Sequence, residues 1–106
     1  IVEVNLIVGF PGEEEQDIEE TIKFVRENAL RIDKINSVNI CTIGPGMYIY
    51  DHLEEYNIDK SMITDWYAWH TKDRSNTIEK RVERHKKLMS VCAEFNLKPL
   101  WQNVKR

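Results

Sequence analysis

Residues 5–15, NLIVGFPGEEE, decide how the first part of this chain folds. The eight residues that end at Val8 are mostly Ile, Val and Leu, as in a strand buried on both faces. Gly9-Phe10-Pro11-Gly12 ends the strand, because glycine allows unusual backbone angles and proline cannot pair within a sheet. The carboxylates that follow suit the positive end of a helix dipole. The stretch therefore predicts a strand, a tight turn and a helix.

A second strand is predicted beyond this helix. Apolar residues at helical spacing extend the helix from Glu13 to about Asn28, and its apolar face is formed by Ile18, Ile22, Val25 and Ala29. Residues 37–43, SVNICTI, read as a strand that Gly44-Pro45-Gly46 ends. Strand, helix and strand make a βαβ unit, so the two strands should be parallel with a right-handed crossover.

The second half of the chain is less regular. Residues 48–56 read as a short helix and residues 57–75 as an irregular segment with three aromatic residues, Trp66, Tyr67 and Trp69. Asn76 is expected to cap a long last helix, since Glu79 stands three residues later, as in a capping box. The apolar face of that helix is formed by Ile78, Val82, His85, Leu88, Met89 and Cys92. The remaining charges predict a solvated face of mixed sign, formed by Glu79, Lys80, Arg81, Glu83, Arg84, Lys86 and Lys87.

The predicted sheet is incomplete. Parallel sheets occur almost only where both faces are covered, and two strands leave two unpaired edges that two helices cannot hide. The sequence also begins with Ile-Val-Glu-Val-Asn, inside the first strand and without a methionine. We therefore expect a segment of a longer protein, whose strand edges pair with the rest of the parent chain or with a second copy.

Composition argues against several classes of partner. A net charge of -3 offers no basic surface for nucleic acid or for an anionic membrane. No apolar stretch approaches the roughly 20 residues of a membrane span, and we find no signal peptide. Cys41 and Cys92 lie far apart without metal-ligand spacing, so we interpret them as free thiols of a cytoplasmic protein.

The Gly-Phe-Pro-Gly turn does not fit a phosphate-binding loop. Such loops need converging backbone N–H groups and a lysine after the last glycine, whereas here Pro11 removes an N–H and three glutamates would repel the anion. Both glycine-rich turns nevertheless follow carboxyl ends of parallel strands, where α/β proteins bind ligands. Trp66, Trp69 and His70 could form an aromatic wall there, although pinning an irregular segment to the core is the commoner role.

These motifs, in this order, resemble the radical S-adenosylmethionine enzymes. NLIVGFPGE at 5–13, followed by DIEET at 17–21, resembles the fifth strand and helix of that family. SVNICTIGPGMYIY at 37–50 resembles the sixth strand and its Pro-Gly-Thr-Pro-Leu-Tyr turn, with Met47 and Ile49 departing from the turn's pattern. Trp66, residues 75–77, Arg81 and Arg84 are similar to the region after the barrel in the subgroup with a cobalamin-binding domain.

The resemblance implies an α/β fold that is a fragment of a partial (β/α)6 TIM barrel. Residues 1–50 would be its C-terminal βαβ part, with parallel strands five and six, and residues 51–106 a trailing helical segment packed on or after the barrel. In the family, a Cys-x3-Cys-x2-Cys loop holds a 4Fe-4S cluster that cleaves S-adenosylmethionine to a 5′-deoxyadenosyl radical. That loop is absent from the sequence, so the chain is expected to be inactive alone. Cobalamin would be a further cofactor of the parent enzyme if it belongs to the cobalamin subgroup.

The resemblance also implies which residues contact the adenosine of S-adenosylmethionine: Asn5, Ile7, Gly9, Cys41, Thr42 and Ile43. Ile7 would lie against the adenine, and Gly9 would stay small beside the ligand. The end of the second strand would offer apolar and backbone contacts, as a purine requires. Glu13 matches the carboxylate that often follows the family's turn, and we expect it mainly to cap the helix.

Two alternatives stay open. A non-catalytic α/β interaction module would use every glycine only as a turn. Another (β/α) barrel enzyme, such as a sugar or phosphate isomerase, would carry a carboxylate or lysine at a strand end, where this sequence has Asn39 and Thr42. The substrate and the reaction do not follow from the sequence, since methylation, sulfur insertion and rearrangement share this half of the barrel.

Overall fold

The computed structural model describes residues 1–104 and has a mixed α/β fold with a two-stranded parallel sheet. Its elements, in chain order, are strand β1 (Glu3–Val8), helix α1 (Glu15–Asn28), strand β2 (Lys34–Ile40), helix α2 (Tyr48–Asp51), two 3-10 helices (Leu53–Tyr56 and Lys60–Met62) and helix α3 (Ile78–Glu94). Leu6 pairs with Val38 and Val8 with Ile40, which confirms the predicted parallel pairing. The second strand starts and ends earlier than the sequence indicated.

Helices α1 and α3 lie on the same face of the sheet and enclose the main core. This core consists of Val8, Ile18, Ile22, Val25, Ile32, Ile35, Val38, Leu88, Val91 and Cys92. Along β1, burial alternates, with Val4, Leu6 and Val8 facing the helices. The prediction that this strand is buried on both faces is therefore wrong, because no element of residues 1–104 covers the other face.

The side chains that cap the two long helices are not the ones that the sequence predicted. Helix α1 begins after Glu14, whose backbone N–H donates to the Asp17 carboxylate at 2.8 Å. Helix α3 is capped by Thr77, whose side chain accepts from the backbone N–H of Lys80. The prediction of Asn76 as the cap is wrong, because its buried amide is used in tertiary contacts that are described below.

A second core lies beyond the carboxyl ends of the strands. It is formed by Cys41, Ile43, Ile49, Ile58 and Trp69. The predicted helix at 48–56 divides into α2 and the 3-10 helix Leu53–Tyr56, and residues 57–75 are irregular as expected except for Lys60–Met62. None of the helices in the described part of the chain combines the length and hydropathy needed to cross a membrane.

The outer edge of β2 is covered by the end of the chain. The Leu100 N–H donates to the Ile35 carbonyl at 3.0 Å, and the Val38 N–H donates to the Trp101 carbonyl at 3.1 Å. The Asn103 side chain then accepts from the Ile40 N–H and donates to its carbonyl. The expectation of two open edges is thus corrected to one: within residues 1–104, no strand pairs with the outer edge of β1.

Candidate functional site

Arg81 organises the structure beyond the carboxyl ends of the strands. Its side chain is fully buried, and its stem packs on the backbone of Gly9. Its guanidinium donates to Asn76 Oδ1 at 2.9 Å, to the Tyr67 carbonyl at 2.9 Å and to the Trp69 carbonyl at 2.8 Å. One cation therefore joins the first turn, the irregular segment and α3.

The groups around Arg81 offset only part of the free-energy cost of removing its guanidinium from water. The three acceptors are neutral, and the guanidinium carbon lies 3.7 Å from the centroid of the Trp69 ring in a cation–π contact. Burial lowers the pKa of Arg81 to about 10. The residue therefore stays charged at neutral pH, held by hydrogen bonds and by the face of an indole.

Asn76 completes this connection. Its Nδ2 donates to the carbonyls of Gly9 and Phe10, at 2.9 and 3.3 Å. Its amide oxygen accepts from Arg81, so one amide joins the end of β1 to the start of α3. A capping role would have turned the same oxygen toward the helix N-terminus, which explains why Thr77 caps α3 instead.

Glu13 does not cap α1, contrary to the sequence-based expectation. Its carboxylate accepts from the Gly9 N–H at 3.0 Å and from Arg84 Nη1 at 3.1 Å. Arg84 Nε also donates to the Glu15 carboxylate at 3.1 Å. The Glu13–Arg84 pair is largely shielded from water, so this carboxylate fastens the turn to α3.

The predicted solvated face of α3 is wrong at Arg81 and Arg84, which are buried, and the predicted apolar face is wrong at Val82, which is exposed. The sequence contained a signal for the first of these. Arg81 stands four residues before His85 and seven before Leu88, so it shares the helical stripe of those core residues. Its charge concealed that position, since arginine is rarely buried without a charged partner.

The aromatic residues of the irregular segment differ in burial and contacts. Trp69 is buried and its Nε1 donates to the Cys41 carbonyl at 3.1 Å, so it pins the segment to the core. Trp66 is partly exposed, its carbonyl accepts from the Ile43 N–H, and its ring lies on the Cα of Gly44. His70 contacts the carbonyl of Thr71 rather than either indole.

The face of the sheet away from the helices is polar, and no element of residues 1–104 covers it. We call it the open face; it is formed by Glu3, Asn5, Ile7, Ser37 and Asn39. Ser37 Oγ donates to Asn5 Oδ1 at 2.9 Å, which places the two side chains together. Ile7 is 63% exposed beside them, opposite Asn39 in the register. The open face thus combines side-chain amides with one exposed apolar residue.

The six residues predicted to contact adenosine fall into two groups. Asn5 and Ile7 are exposed on the open face, and Thr42 is partly exposed beyond the end of β2. Gly9, Cys41 and Ile43 are buried. The sequence did not assign Asn39 and Ser37 to this group, although strand alternation places them on the face opposite the buried Val38 and Ile40.

Cys41 and Cys92 are both free, as expected, and both are buried. Within residues 1–104, no group of three or more His, Cys, Asp or Glu side chains is arranged to hold a metal ion. Burial raises the pKa of the Cys41 thiol from 9.0 to about 11 and also raises that of Cys92. Neither thiol therefore has the character of a nucleophile or of a ready metal ligand.

Alkylation kinetics test this description of Cys41. Because its raised pKa and its burial both suppress attack by the thiolate, we expect iodoacetamide at pH 8 to modify native Cys41 more than about tenfold more slowly than in the urea-unfolded chain. Peptide mass spectrometry after quenched reaction gives the rate at each cysteine. Equal rates in the native and unfolded chain would show that Cys41 is accessible and ionised.

Comparisons with family models, with curated proteins and with solved structures return no match for this chain. Its function has therefore to be argued from the residues and geometry described above.

Proposed function

We propose that the chain is the C-terminal part of a radical S-adenosylmethionine barrel and contributes part of the pocket for the adenosine. The observation that carries this proposal is the one-sided sheet: both long helices cover one face, while the other face is polar and the outer edge of β1 has no strand beside it within residues 1–104. In this proposal, β1 and β2 are the fifth and sixth barrel strands.

The one-sided arrangement favours a barrel over a doubly wound sheet. Doubly wound folds carry helices on both faces of the sheet, whereas a barrel carries them only outside and turns the other face inward. The open face would then line the interior, and the outer edge of β1 would pair with the preceding strand of the parent chain. That pairing would satisfy the backbone groups of an otherwise open edge.

The chemistry of the open face suits a purine. Exposed Ile7 offers an apolar surface to one side of a flat ring. Within the described residues, the Nδ2 groups of Asn5 and Asn39 have no acceptor, and amide side chains commonly pair with the hydrogen-bonding edge of adenine. Buried Gly9, Cys41 and Ile43 would shape the end of the pocket through their backbone and through the elements that pack on them.

The iron–sulfur cluster does not fit the residues present. A cluster needs several converging thiolates, whereas Cys41 and Cys92 are buried and have raised pKa values. The cluster, which supplies the electron for S-adenosylmethionine cleavage, would have to be held by the rest of the parent chain. A cobalamin domain in the parent enzyme and a cytoplasmic location also belong to the proposal. The reduced thiols of Cys41 and Cys92 are consistent with a cytoplasmic location.

A titration followed by NMR tests the proposal. We expect S-adenosylhomocysteine to shift the amide resonances of Ile7, Gly9 and residues 41–43 in the 15N-labelled chain, with a dissociation constant on the order of 1 mM because most of the barrel is missing. Ile7→Asp should weaken this binding at least about tenfold, since it puts a charge against the apolar face of the ring. Leu30→Asp is the matched control, because Leu30 is fully exposed and lies outside the open face.

Two results would contradict the proposal. One is the absence of any shift on the open face at the solubility limit of the ligand. The other is a set of shifts confined to the cavity between α3 and the chain end, which Met89, Leu97 and Gln102 help to line. The second result would favour the interaction module.

A further inference from the structure

Trp101 is joined to the outer edge of β2 by backbone pairing. It forms an isolated parallel bridge with Ser37, and its carbonyl accepts from the Val38 N–H. Partners in a bridge carry their side chains on the same side of a sheet. Since Ser37 hydrogen-bonds to Asn5, Trp101 is placed on the open face.

The neighbours of Trp101 give the same orientation independently. Gln102 lines the cavity beside α3, on the helix-covered side of the sheet. The Asn103 N–H donates to Asn39 Oδ1 at 2.9 Å, which holds this segment beside β2. Alternation along an extended chain puts Trp101 on the side away from Gln102.

Trp101 and Ile7 are therefore both exposed apolar residues on the open face. Asn5, Ser37 and Trp101 form one row across three chain segments, so about 10 Å separates the outer two backbones. The small Ser37 side chain lies between those of Asn5 and Trp101 in this row. The indole is 64% exposed, so a ligand can reach it without any rearrangement of the core.

The charges around Ile7 and Trp101 favour a neutral ring. Among the residues of the open face only Glu3 is charged, and it lies at the amino end, where it accepts from Asn36 and lies 4.0 Å from Lys34. Among residues 1–104, none of the residues at the part formed by Ile7, Asn39 and Trp101 is a cation that would hold a phosphate or carboxylate. A flat heteroaromatic ring with hydrogen-bonding edges is complementary to an indole beside two side-chain amides.

We infer that Trp101 stacks on the adenine ring of S-adenosylmethionine and acts as a positioning residue of the proposed pocket, which Asn5 and Asn39 complete with hydrogen bonds. This inference rests on the proposed function and extends it to the end of the chain. Residues 100–103 thus cover the edge of β2 and also supply one wall of the binding site.

The test uses the indole N–H resonance of Trp101 in the titration with S-adenosylhomocysteine. We expect this resonance to shift with the same dissociation constant as the Ile7 amide. Trp101→Ala should weaken binding about tenfold, the effect that loss of one aromatic–base stack usually produces, and Trp101→Phe should restore most of it. Leu100→Ala is the matched control, since Leu100 is the exposed neighbour in the same segment.

The possible outcomes separate the two conclusions. If the Ile7 and 41–43 amides shift with unchanged affinity in Trp101→Ala, the inference is overturned and the proposed function stands. If no open-face resonance shifts in the unaltered chain, both are overturned. Far-UV circular dichroism and the buried Trp69 signal establish that each variant is folded, so an unfolded variant is not counted as a loss of binding.

Discussion

Gly9→Ala is expected to destabilise the chain by about 3–5 kcal/mol, because two penalties coincide at this position. Gly9 has a φ of 87°, in the left-handed region that side-chain-bearing residues rarely adopt. A Cβ would also lie 2.3 Å from Cγ and 2.4 Å from Cδ of Arg81. Arg81 cannot move away without breaking its hydrogen bonds to Asn76, Tyr67 and Trp69. Urea denaturation of the purified variant gives the loss directly.

Gly12→Ala is the matched control for this prediction. Gly12 has a φ of 97°, but a Cβ there would meet nothing within 4 Å. It should therefore cost only about 1 kcal/mol, the backbone penalty by itself. Equal losses for the two variants would mean that contact with Arg81 is not what requires glycine at position 9.

A double-mutant cycle separates the contact with Arg81 from the backbone strain. In an Arg81→Ala background Cγ and Cδ are gone and only the Cβ of residue 81 remains, 3.2 Å from the new Cβ, so Gly9→Ala should cost only slightly more than Gly12→Ala does in the unaltered chain. Strict additivity of the Gly9 and Arg81 substitutions would contradict the packing described here.

Arg81→Met is the second substitution with a large expected effect. Methionine keeps much of the stem that packs on Gly9, but it removes three hydrogen bonds and leaves the Tyr67 and Trp69 carbonyls and the Asn76 amide oxygen without their donor. Each such loss costs about 1–3 kcal/mol, and relief from burying a charge offsets part of the sum, so we expect a net loss of about 3 kcal/mol. For a domain of this size, the melting temperature should fall by roughly 12–24 °C.

The loss in Arg81→Met should be accompanied by loosening of the irregular segment. Trp69 fluorescence should shift to longer wavelength, because its indole then loses both the cation above its ring and the anchor of its carbonyl. Lys86→Met on the exposed side of α3 is the control and should change stability by less than about 0.5 kcal/mol. A similar melting temperature for the two variants would show that Arg81 does not organise this region.

The regular elements could be predicted largely from local pattern. The strand, glycine turn and acidic helix follow from residues 5–15, because alternation, backbone freedom and helix dipole act within a few residues of one another. The parallel pairing of β1 with β2 follows in turn from strand–helix–strand order. The observed start of β2 differs from the predicted one because Lys34, Ile35 and Asn36 can join a strand only when β1 lies beside them.

The roles of the charged and polar side chains could not be predicted in the same way. Four of these side chains are of types that usually cap helices or face water: Glu13, Asn76, Arg81 and Arg84. All four nevertheless bind groups that are distant in sequence. Whether such a side chain stays in water or becomes buried depends on whether acceptors converge on it, and those acceptors come from other elements.

The sequence by itself determined the βαβ unit, its parallel strands, the glycine turns at the strand ends and the free thiols. Each of these depends on neighbouring residues or on composition. Only the tertiary structure decided that one face of the sheet stays open, that Arg81 is buried beneath the irregular segment, and that Trp101 joins the open face. Those features arise where distant segments meet, because burial, hydrogen-bond partners and strand neighbours are properties of the assembled chain.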